Sequence, residues 1–400
     1  MRFSSYLYLI DYLYKVLCAF VCFISAISCW GNTPIVCTVF LSFCYKYYYL
    51  VAAPPWVSDW PSEPVKMGQV AGVAIDNSGH VLVFHRASNA WGIDSFTQRN
   101  VYAQIGDPPI GPPTVLVFNH TGELADMWGQ NMFYMPHGIS VDHEDNVWLT
   151  DVALHQVFKF TKQERNRAAL TLGEKFVPGD DEEHFCKPSA VAIMANGEFF
   201  VADGYCNSRI IKYSPNGIKI LEWGQKHGAS PFSFNIPHAL TLTESDQDIC
   251  VADREHGRVA CFSTLDGSFR NQYRSWLIGG KCFSVAYADG HLYIVNGPYG
   301  NVPRVRGFVL EYPSGRMVRT FGPDGDFTSP HDVVATPDGS VVYVAQLDPH
   351  RYCCVIQTAL QAAVVVIAPA KPTATTGQYI NTHTHTQYYD VHVYIYILRM

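Results

Sequence analysis

The chain has 400 residues, with 28 Lys and Arg against 35 Asp and Glu, which gives a formal net charge of −7. Hydrophobic residues make up 48% of it, enough for a large core, so wholesale disorder is excluded. A protein that binds nucleic acid usually has an excess of basic residues, which this chain does not have, so we expect no nucleic-acid partner. Charged residues are only 16% of the chain, partly because of the composition of its two ends.

Residues 1–53 are predicted to be an apolar leader. Basic residues precede an apolar run at 16–29, a pattern typical of a secretory signal peptide. Neither this run nor the next, at 34–44, reaches the roughly 20 residues of a membrane span, which favours a cleaved signal. An uncleaved leader that anchors the protein in a membrane is the alternative. Both readings predict the secretory pathway, with a secreted or vesicular protein, and there Asn119 is predicted to carry a glycan because Asn119-His120-Thr121 is an N-glycosylation sequon.

Residues 54–350 return repeatedly to one pattern, in which an inner strand, often begun by Pro, leads through a polar turn to a second strand ending in Asp. The prolines at 136, 188 and 237 are 52 and 49 residues apart, and the next, at 330, follows after 93, close to two periods. The pattern occurs in six copies, the first beginning at Val70 and the last at Pro330. Six copies with a period of this length and alternating strands predict an all-β, six-bladed β-propeller.

The end of the repeat region is irregular. Gln346-Leu347-Asp348-Pro349 stands where earlier copies continue into a second half-blade, so the sequence leaves open whether the sixth blade has its outer strands. Residues 351–400 continue no strand or turn pattern. We interpret them as an irregular tail with no assigned function.

Three histidines occupy the same place in alternate copies. His137, His238 and His331 each follow a Pro directly, in copies two, four and six. Equivalent positions on alternate blades of a six-bladed propeller are related by about 120° around the central channel, so the three side chains should converge. Three His ligands with an open fourth position are typical of catalytic zinc. The alternative is that each Pro-His step merely starts a strand, with its imidazole bonded to water.

Asp332 directly follows His331. Neighbouring strand residues face opposite ways, so the two side chains are not expected to share one ion. A carboxylate aimed down a channel lined by backbone carbonyls suits a hard cation such as calcium. The alternative is a solvated turn residue.

The core cysteines fall into pairs on neighbouring strands of single repeats. Secretory redox conditions permit such disulfides, and we predict Cys186 with Cys206 and Cys250 with Cys261. Cys282 is left without a partner.

The region 59–345 resembles a known family, the peptidyl-α-hydroxyglycine α-amidating lyases, which are built on NHL-type repeats. The resemblance is carried by Gly68-Gln69-Val70, Phe84-His85-Arg86, Pro136-His137-Gly138, residues 151–158, His184-Phe185-Cys186, residues 203–209, residues 250–254 and Pro330-His331-Asp332. It implies cleavage of peptidyl-α-hydroxyglycine to a C-terminal peptide amide and glyoxylate, the second step of peptide amidation. It also implies zinc on the three histidines, and a structural calcium on Asp332 with the carbonyls of Val73 and Ile139.

The resemblance further implies Tyr205, Arg254 and Arg86 as active-site residues. Tyr205 and Arg254 follow the strand-ending Asp of adjacent copies, so both should lie on the face where the histidines converge. Tyr205 suits a general base, Arg254 favours its phenolate, and Arg86 suits the substrate carboxylate. Without the resemblance, we would interpret each Arg as one partner of a surface or inter-blade ion pair. Ser329 departs from the family, which has Met two residues before the third histidine.

The leader has no room for the family's monooxygenase domain, so we expect dependence on a separate peptidylglycine α-hydroxylating monooxygenase. One rival interpretation is a non-catalytic secreted NHL propeller that binds a peptide or protein on its loop face. Another is a calcium-dependent propeller hydrolase such as a lactonase, which shares the fold and not the motifs. Metal content separates them, because a bare calcium propeller lacks stoichiometric zinc.

Overall fold

The computed structural model describes residues 56–57, 60–62, 65–299, 304–323, 325–347 and 353–357. The predicted leader and most of the predicted tail lie outside this part of the chain. No helix within it is long and apolar enough to cross a membrane.

The described residues form six four-stranded antiparallel sheets, which confirms the six-bladed propeller. Strands of the first three blades, with the N-terminal strand, are β1 (Trp56–Val57), β2 (Val70–Ile75), β3 (Val81–His85), β4 (Val115–Phe118), β5 (Leu124–Trp128), β6 (Pro136–Val141), β7 (Val147–Asp151), β8 (Gln156–Phe160), β9 (Leu170–Leu172), β10 (Pro188–Ile193), β11 (Phe199–Asp203), β12 (Arg209–Tyr213) and β13 (Lys219–Trp223).

The remaining strands are β14 (Pro237–Leu242), β15 (Asp248–Asp253), β16 (Arg258–Ser263), β17 (Phe269–Tyr273), β18 (Cys282–Ala288), β19 (His291–Asn296), β20 (Gly307–Glu311), β21 (Met317–Phe321), β22 (Pro330–Ala335), β23 (Val341–Gln346) and β24 (Cys353–Gln357). Short 3₁₀ turns occupy Glu244–Asp246 and Arg254–His256. Five blades take their four strands in chain order, starting at β2, β6, β10, β14 and β18.

The sixth blade is assembled from both ends of the repeat region. Its sheet runs β22, β23, β24 and then β1, with Trp56 opposite Ile356. The outer strands that the sequence left open are therefore present. Since β24 ends at Gln357, this sheet extends past the predicted boundary at residue 350.

Buried aromatic rings fill the spaces between neighbouring blades. Trp148 of the second blade lies 4.5 Å, between ring centroids, from Phe199 of the third. Both side chains are almost wholly buried, and a ring such as Phe199 contributes roughly 1.5–3 kcal/mol relative to its exposed state. Each outer strand β5, β13 and β17 has exposed residues in its middle and ends in a buried aromatic residue.

Every inner strand has a register shift directly after its first residue. A bulge of this kind leaves a residue unpaired and turns its side chain out of the regular alternation. The residues that fall in the shifts are Ala71, His137, Ser189, His238, Phe283 and His331, and in the second blade Gly138 as well. The same irregularity in all six blades thus positions the three histidines at equivalent points around the axis.

Candidate active site

The three histidines converge as predicted. Their ligand atoms all lie within 4.8 Å of one another, and each residue is only 2% exposed. Their ring centroids are 4.6–4.9 Å apart. His137, His238 and His331 therefore form a compact, buried cluster of three imidazoles on the propeller axis.

Each imidazole is oriented by a backbone carbonyl of the next blade around the ring. A carbonyl oxygen only accepts hydrogen bonds, so a ring nitrogen that faces one carries the proton, and the other ring nitrogen keeps its lone pair. The Nδ1 atoms of the three rings lie 2.8 Å from the Ser189 carbonyl oxygen for His137, 2.6 Å from that of Phe283 for His238, and 2.7 Å from that of Ala71 for His331. All three carbonyls belong to bulge residues. The Nε2 lone pairs of the three rings therefore remain available to a ligand at the centre of the cluster.

This donor set fits a metal ion. Burial lowers the pKa of all three histidines, that of His331 to about 3, so they are neutral, as a metal ligand must be. The Tyr205 hydroxyl lies 2.8 Å from His137 Nε2 and 2.9 Å from His238 Nε2, yet its single proton can satisfy only one of them. Three neutral imidazoles with room for another ligand suit zinc, and imidazole also suits copper, iron and nickel.

Tyr205 and Arg254 lie together beside this cluster. Arg254 Nη1 donates to the Tyr205 hydroxyl at 3.4 Å, and its Cζ lies 5.2 Å from the Tyr205 ring centroid. The Nε of Arg254 is held by the Glu255 carboxylate at 2.9 Å. Burial raises the pKa of Tyr205, while the charges of Arg254 and Arg86 act in the opposite direction.

Buried aspartates at the ends of β11 and β15 fasten the loops that carry these residues. Asp203 accepts hydrogen bonds from the Cys186 amide at 2.8 Å and from Arg209 Nε at 2.9 Å. Asp253 accepts in the same way from the Asn235 amide and Arg258 Nε. The strand-ending Asp of the repeat is thus a structural anchor, and the residues one or two positions after it are presented at the site.

Arg86 directly follows β3 and is 1% exposed. Its Nε donates to the Pro136 carbonyl at 3.0 Å and its Nη1 to Gln69 Oε1 at 2.7 Å. Both acceptors are neutral. The positive charge of Arg86 acts on the histidine cluster, because it adds to the effect of burial in lowering the pKa of His137 and His331.

Trp91 is part of the site, although the sequence did not single it out. Its ring centroid lies 4.6 Å from that of Tyr205, and the Arg86 Cζ atom lies 5.4 Å from it. Gln69 Oε1 accepts the Trp91 amide at 3.0 Å as well as the Arg86 guanidinium. Trp91 stands in the long loop between β3 and β4, which has no counterpart in the other repeats, so no periodic signal pointed to it.

Asp332 lines a cavity of about 40 Å³ below the histidines. Its Oδ2 accepts the Val73 amide at 3.0 Å, and its Oδ1 accepts the Ser284 hydroxyl at 2.7 Å. Burial raises its pKa to about 6, and no Lys or Arg of the described residues contributes to that shift. The amide and carbonyl of a strand residue leave on the same edge, so the Val73 carbonyl also faces the axis, and Ile139 lines the same cavity. The surroundings are rich in oxygen and fit calcium.

Both predicted disulfides are present, Cys186 with Cys206 and Cys250 with Cys261, and Cys282 is free and buried. Asn119 lies in the turn between β4 and β5, where the Thr121 hydroxyl donates to its Oδ1 at 2.7 Å. Ser329, just before β22, is half-buried, and its carbonyl accepts the Leu347 amide at 3.0 Å.

Comparisons with known proteins agree with this fold. The NHL repeat model matches residues 185–213 and 234–262, in the third and fourth blades. A solved structure of a nidogen/laminin complex is 15% identical with a TM-score of 0.50, covering 67% of this chain and 86% of that one, and supports the fold alone. The molecule is thus an NHL-repeat propeller with a buried three-histidine cluster.

Its relatives define the family. Peptidyl-alpha-hydroxyglycine alpha-amidating lyase 1 of Drosophila melanogaster is 48% identical over 73% of this chain and 58% of its own length. Lyase 2 of the same organism is 40% identical over 74% of this chain and 73% of its own length. Peptidylglycine alpha-amidating monooxygenase of Rattus norvegicus is 42% identical over 71% of this chain and 30% of its own length. The chain belongs to the peptidyl-α-hydroxyglycine α-amidating lyase family, and it spans less than two thirds of the first and third of these relatives.

Proposed function

We propose that this protein is a zinc-dependent lyase that cleaves peptidyl-α-hydroxyglycine to a C-terminal peptide amide and glyoxylate. Family membership supports the reaction class. The observation that carries the proposal is the Tyr205 hydroxyl, 2.8 Å and 2.9 Å from the Nε2 atoms of His137 and His238 and 3.4 Å from Nη1 of Arg254. The proposed proton acceptor therefore lies beside both the three-histidine cluster and a guanidinium group that carries a positive charge.

The reaction requires three changes in the substrate R-CO-NH-CH(OH)-COO⁻. Its hydroxyl loses a proton, the C–N bond breaks as the C=O bond of glyoxylate forms, and the amide nitrogen gains a proton. Tyr205 accepts the hydroxyl proton and returns it to the nitrogen, so no net proton is consumed. Arg254 favours the phenolate form of Tyr205 through its charge. Arg86 binds the substrate carboxylate, for which a planar guanidinium is suited.

The histidine cluster is proposed to hold the metal. Bound by His137, His238 and His331, a zinc ion would supply Lewis-acid chemistry that lowers the pKa of the substrate hydroxyl. A structural calcium is proposed on Asp332 with the carbonyls of Val73 and Ile139. It would tie the inner strands of the sixth, first and second blades together on the axis.

The substrate has to be made by hydroxylation of a glycine-extended peptide. We propose that a separate peptidylglycine α-hydroxylating monooxygenase supplies it. The rat relative is named as a peptidylglycine alpha-amidating monooxygenase, which supports pairing of the lyase with a monooxygenase. The two disulfides support an oxidising compartment, and with it the secretory pathway and a glycan on Asn119.

The test combines metal analysis with a product assay on the purified protein. We expect one zinc per chain, and glyoxylate and peptide amide released in equal amounts from an α-hydroxyglycine peptide. Stoichiometric zinc without glyoxylate would contradict the lyase proposal and favour the non-catalytic binding propeller.

A further inference from the structure

A second cleft, of about 470 Å³, lies among the loops that cover the histidine face. It is lined mainly by the long loop between β3 and β4, with Met135 from the segment before β6. The loop joins the second and third strands of its blade, and Met135 leads into an inner strand, so both lie at the end of the propeller where the inner strands begin. The cleft shares no lining residue with the axial cavity below the histidines.

The cleft and the active site share a wall. Tyr102 and Met135 line the cleft and belong to one buried cluster, against which Trp91 and Tyr205 pack from the side of the site. Met135 is also only two residues from His137. An extended peptide advances about 3.3–3.6 Å per residue. Because Met135 and His137 are two residues apart, two or three substrate residues upstream of a hydroxyglycine at the histidines are long enough to extend to the cleft.

The lining has the character of a site for a long cationic side chain. Asp107 is its one charged member among the described residues; it is exposed, and no ion pair engages it within the described part of the chain. Tyr102 and Gln104 add polar groups, and Ile110 and Met135 add apolar surface. Lys and Arg combine an apolar stem with a charged end, which matches this arrangement. The charge of Asp107 reaches Tyr102, where it adds to the burial that raises the Tyr102 pKa to about 12.

We propose that this cleft binds a Lys or Arg side chain of the substrate peptide, two or three residues before the hydroxyglycine, with Asp107 as its counter-ion. The identity of the ligand as a substrate peptide rests on the proposed lyase function. The chemistry of the cleft, an acidic subsite for a basic peptide side chain, does not depend on it.

The test compares matched α-hydroxyglycine peptides with Lys, norleucine or Glu at each of these two positions. We expect kcat/KM for the Lys peptide to exceed that for the Glu peptide by about fivefold at one of them, mainly through KM, as an exposed ion pair allows. Asp107→Asn should bring the ratio close to one and leave the norleucine peptide unchanged. Asp94→Asn is the matched control, because it removes the same charge from the same loop without touching the cleft.

A binding measurement separates this inference from the proposed function. Fluorescence anisotropy with labelled, unhydroxylated glycine-extended peptides reads the Lys, norleucine and Glu preference whether or not the protein turns over substrate. A Lys preference that Asp107→Asn abolishes and Asp94→Asn keeps supports the subsite, even if no peptide releases glyoxylate. Equal affinities for the three peptides, or a preference that survives Asp107→Asn, overturn it.

Discussion

The Nδ1 atom of His331 lies 2.7 Å from the carbonyl oxygen of Ala71, although 260 residues separate the two in sequence. This contact joins the inner strands of the last and the first blade. It orients one of the three proposed ligands only after the propeller ring has closed. A metal that binds the closed cluster, and not the unfolded chain, must therefore stabilise the fold.

His331→Ala should abolish stoichiometric zinc binding, because two imidazoles remain where three converge. In the unmutated protein a chelator that removes zinc and leaves calcium bound should lower the melting temperature, whereas in the variant it should have little effect. Metal analysis and thermal unfolding with and without chelator measure both. His120→Ala, at an exposed turn, is the control and should retain zinc. Full zinc content in His331→Ala would contradict the assignment.

Tyr205→Phe should lower kcat by about 10²- to 10⁴-fold, the usual contribution of a positioned acid–base group. Zinc content should be unchanged, since the substitution removes a proton acceptor and no metal ligand. Tyr299→Phe, on an exposed loop residue, should keep normal turnover. Glyoxylate release at the unmutated rate by Tyr205→Phe would show that another group acts as the base.

Arg86→Lys should raise KM about 10- to 100-fold, because an ammonium group cannot reproduce the bidentate contact of a guanidinium with a carboxylate. The same variant should bind an analogue whose carboxylate is replaced by a carboxamide as well as the unmutated protein does. That comparison separates substrate binding from a structural role, since Arg86 also holds the Pro136 carbonyl and Gln69. An equal loss for both ligands would assign Arg86 to structure alone.

The repeat made the blades and the register of the histidines predictable, because both depend on local patterns that recur. Two features lacked such a pattern. The bulge that orients His137 and its equivalents arises from the register of strand pairing, which cannot be derived from the sequence pattern. Trp91 depends on a loop found in one blade only, and β1 and β24 meet because the ring closes. The pairing that closes the ring and the position of a residue in an unrepeated loop could therefore not be predicted from the sequence alone.

Lys187 should make stability depend on pH. Its Nζ lies 3.0 Å from Asn100 Oδ1 and 4.0 Å from the Phe96 ring centroid, and burial lowers its pKa to about 8. The unfolded chain, with its Lys near the usual 10.5, then binds more protons between these two values, so stability rises with pH across that interval and is nearly constant below about pH 8.

Lys187→Met should remove this contribution. The free energy of unfolding of the unmutated protein, relative to the variant, should increase from about pH 8 to about pH 10.5 in urea titrations. Lys226→Met, at an exposed position, should show no such trend. A pH-independent difference between Lys187→Met and the unmutated protein would mean that the ammonium group is solvated in solution.

The two disulfides should differ in what they do for catalysis. Cys206 directly follows Tyr205, and its bond to Cys186 closes a sequence separation of 20 residues across the loop that carries Tyr205. Cys250 and Cys261 are directly opposite each other in the pairing of β15 with β16, which continues to Asp253 next to Arg254. Strand pairing also reaches Asp203, two residues before Tyr205, so both loops have that support. Only the first bridge, however, adds a covalent bond at the residue next to the proposed base.

We expect Cys186→Ala/Cys206→Ala and Cys250→Ala/Cys261→Ala each to lower the free energy of unfolding by about 2–4 kcal/mol, the usual effect of a native disulfide. Only the first double variant should also lower kcat at a temperature where both are folded, because it frees the loop of the proposed base. Urea titration and glyoxylate release under one condition measure the two effects, and each pair serves as the control for the other. Equal losses of kcat would mean that the first bridge acts on global stability and not on the position of Tyr205.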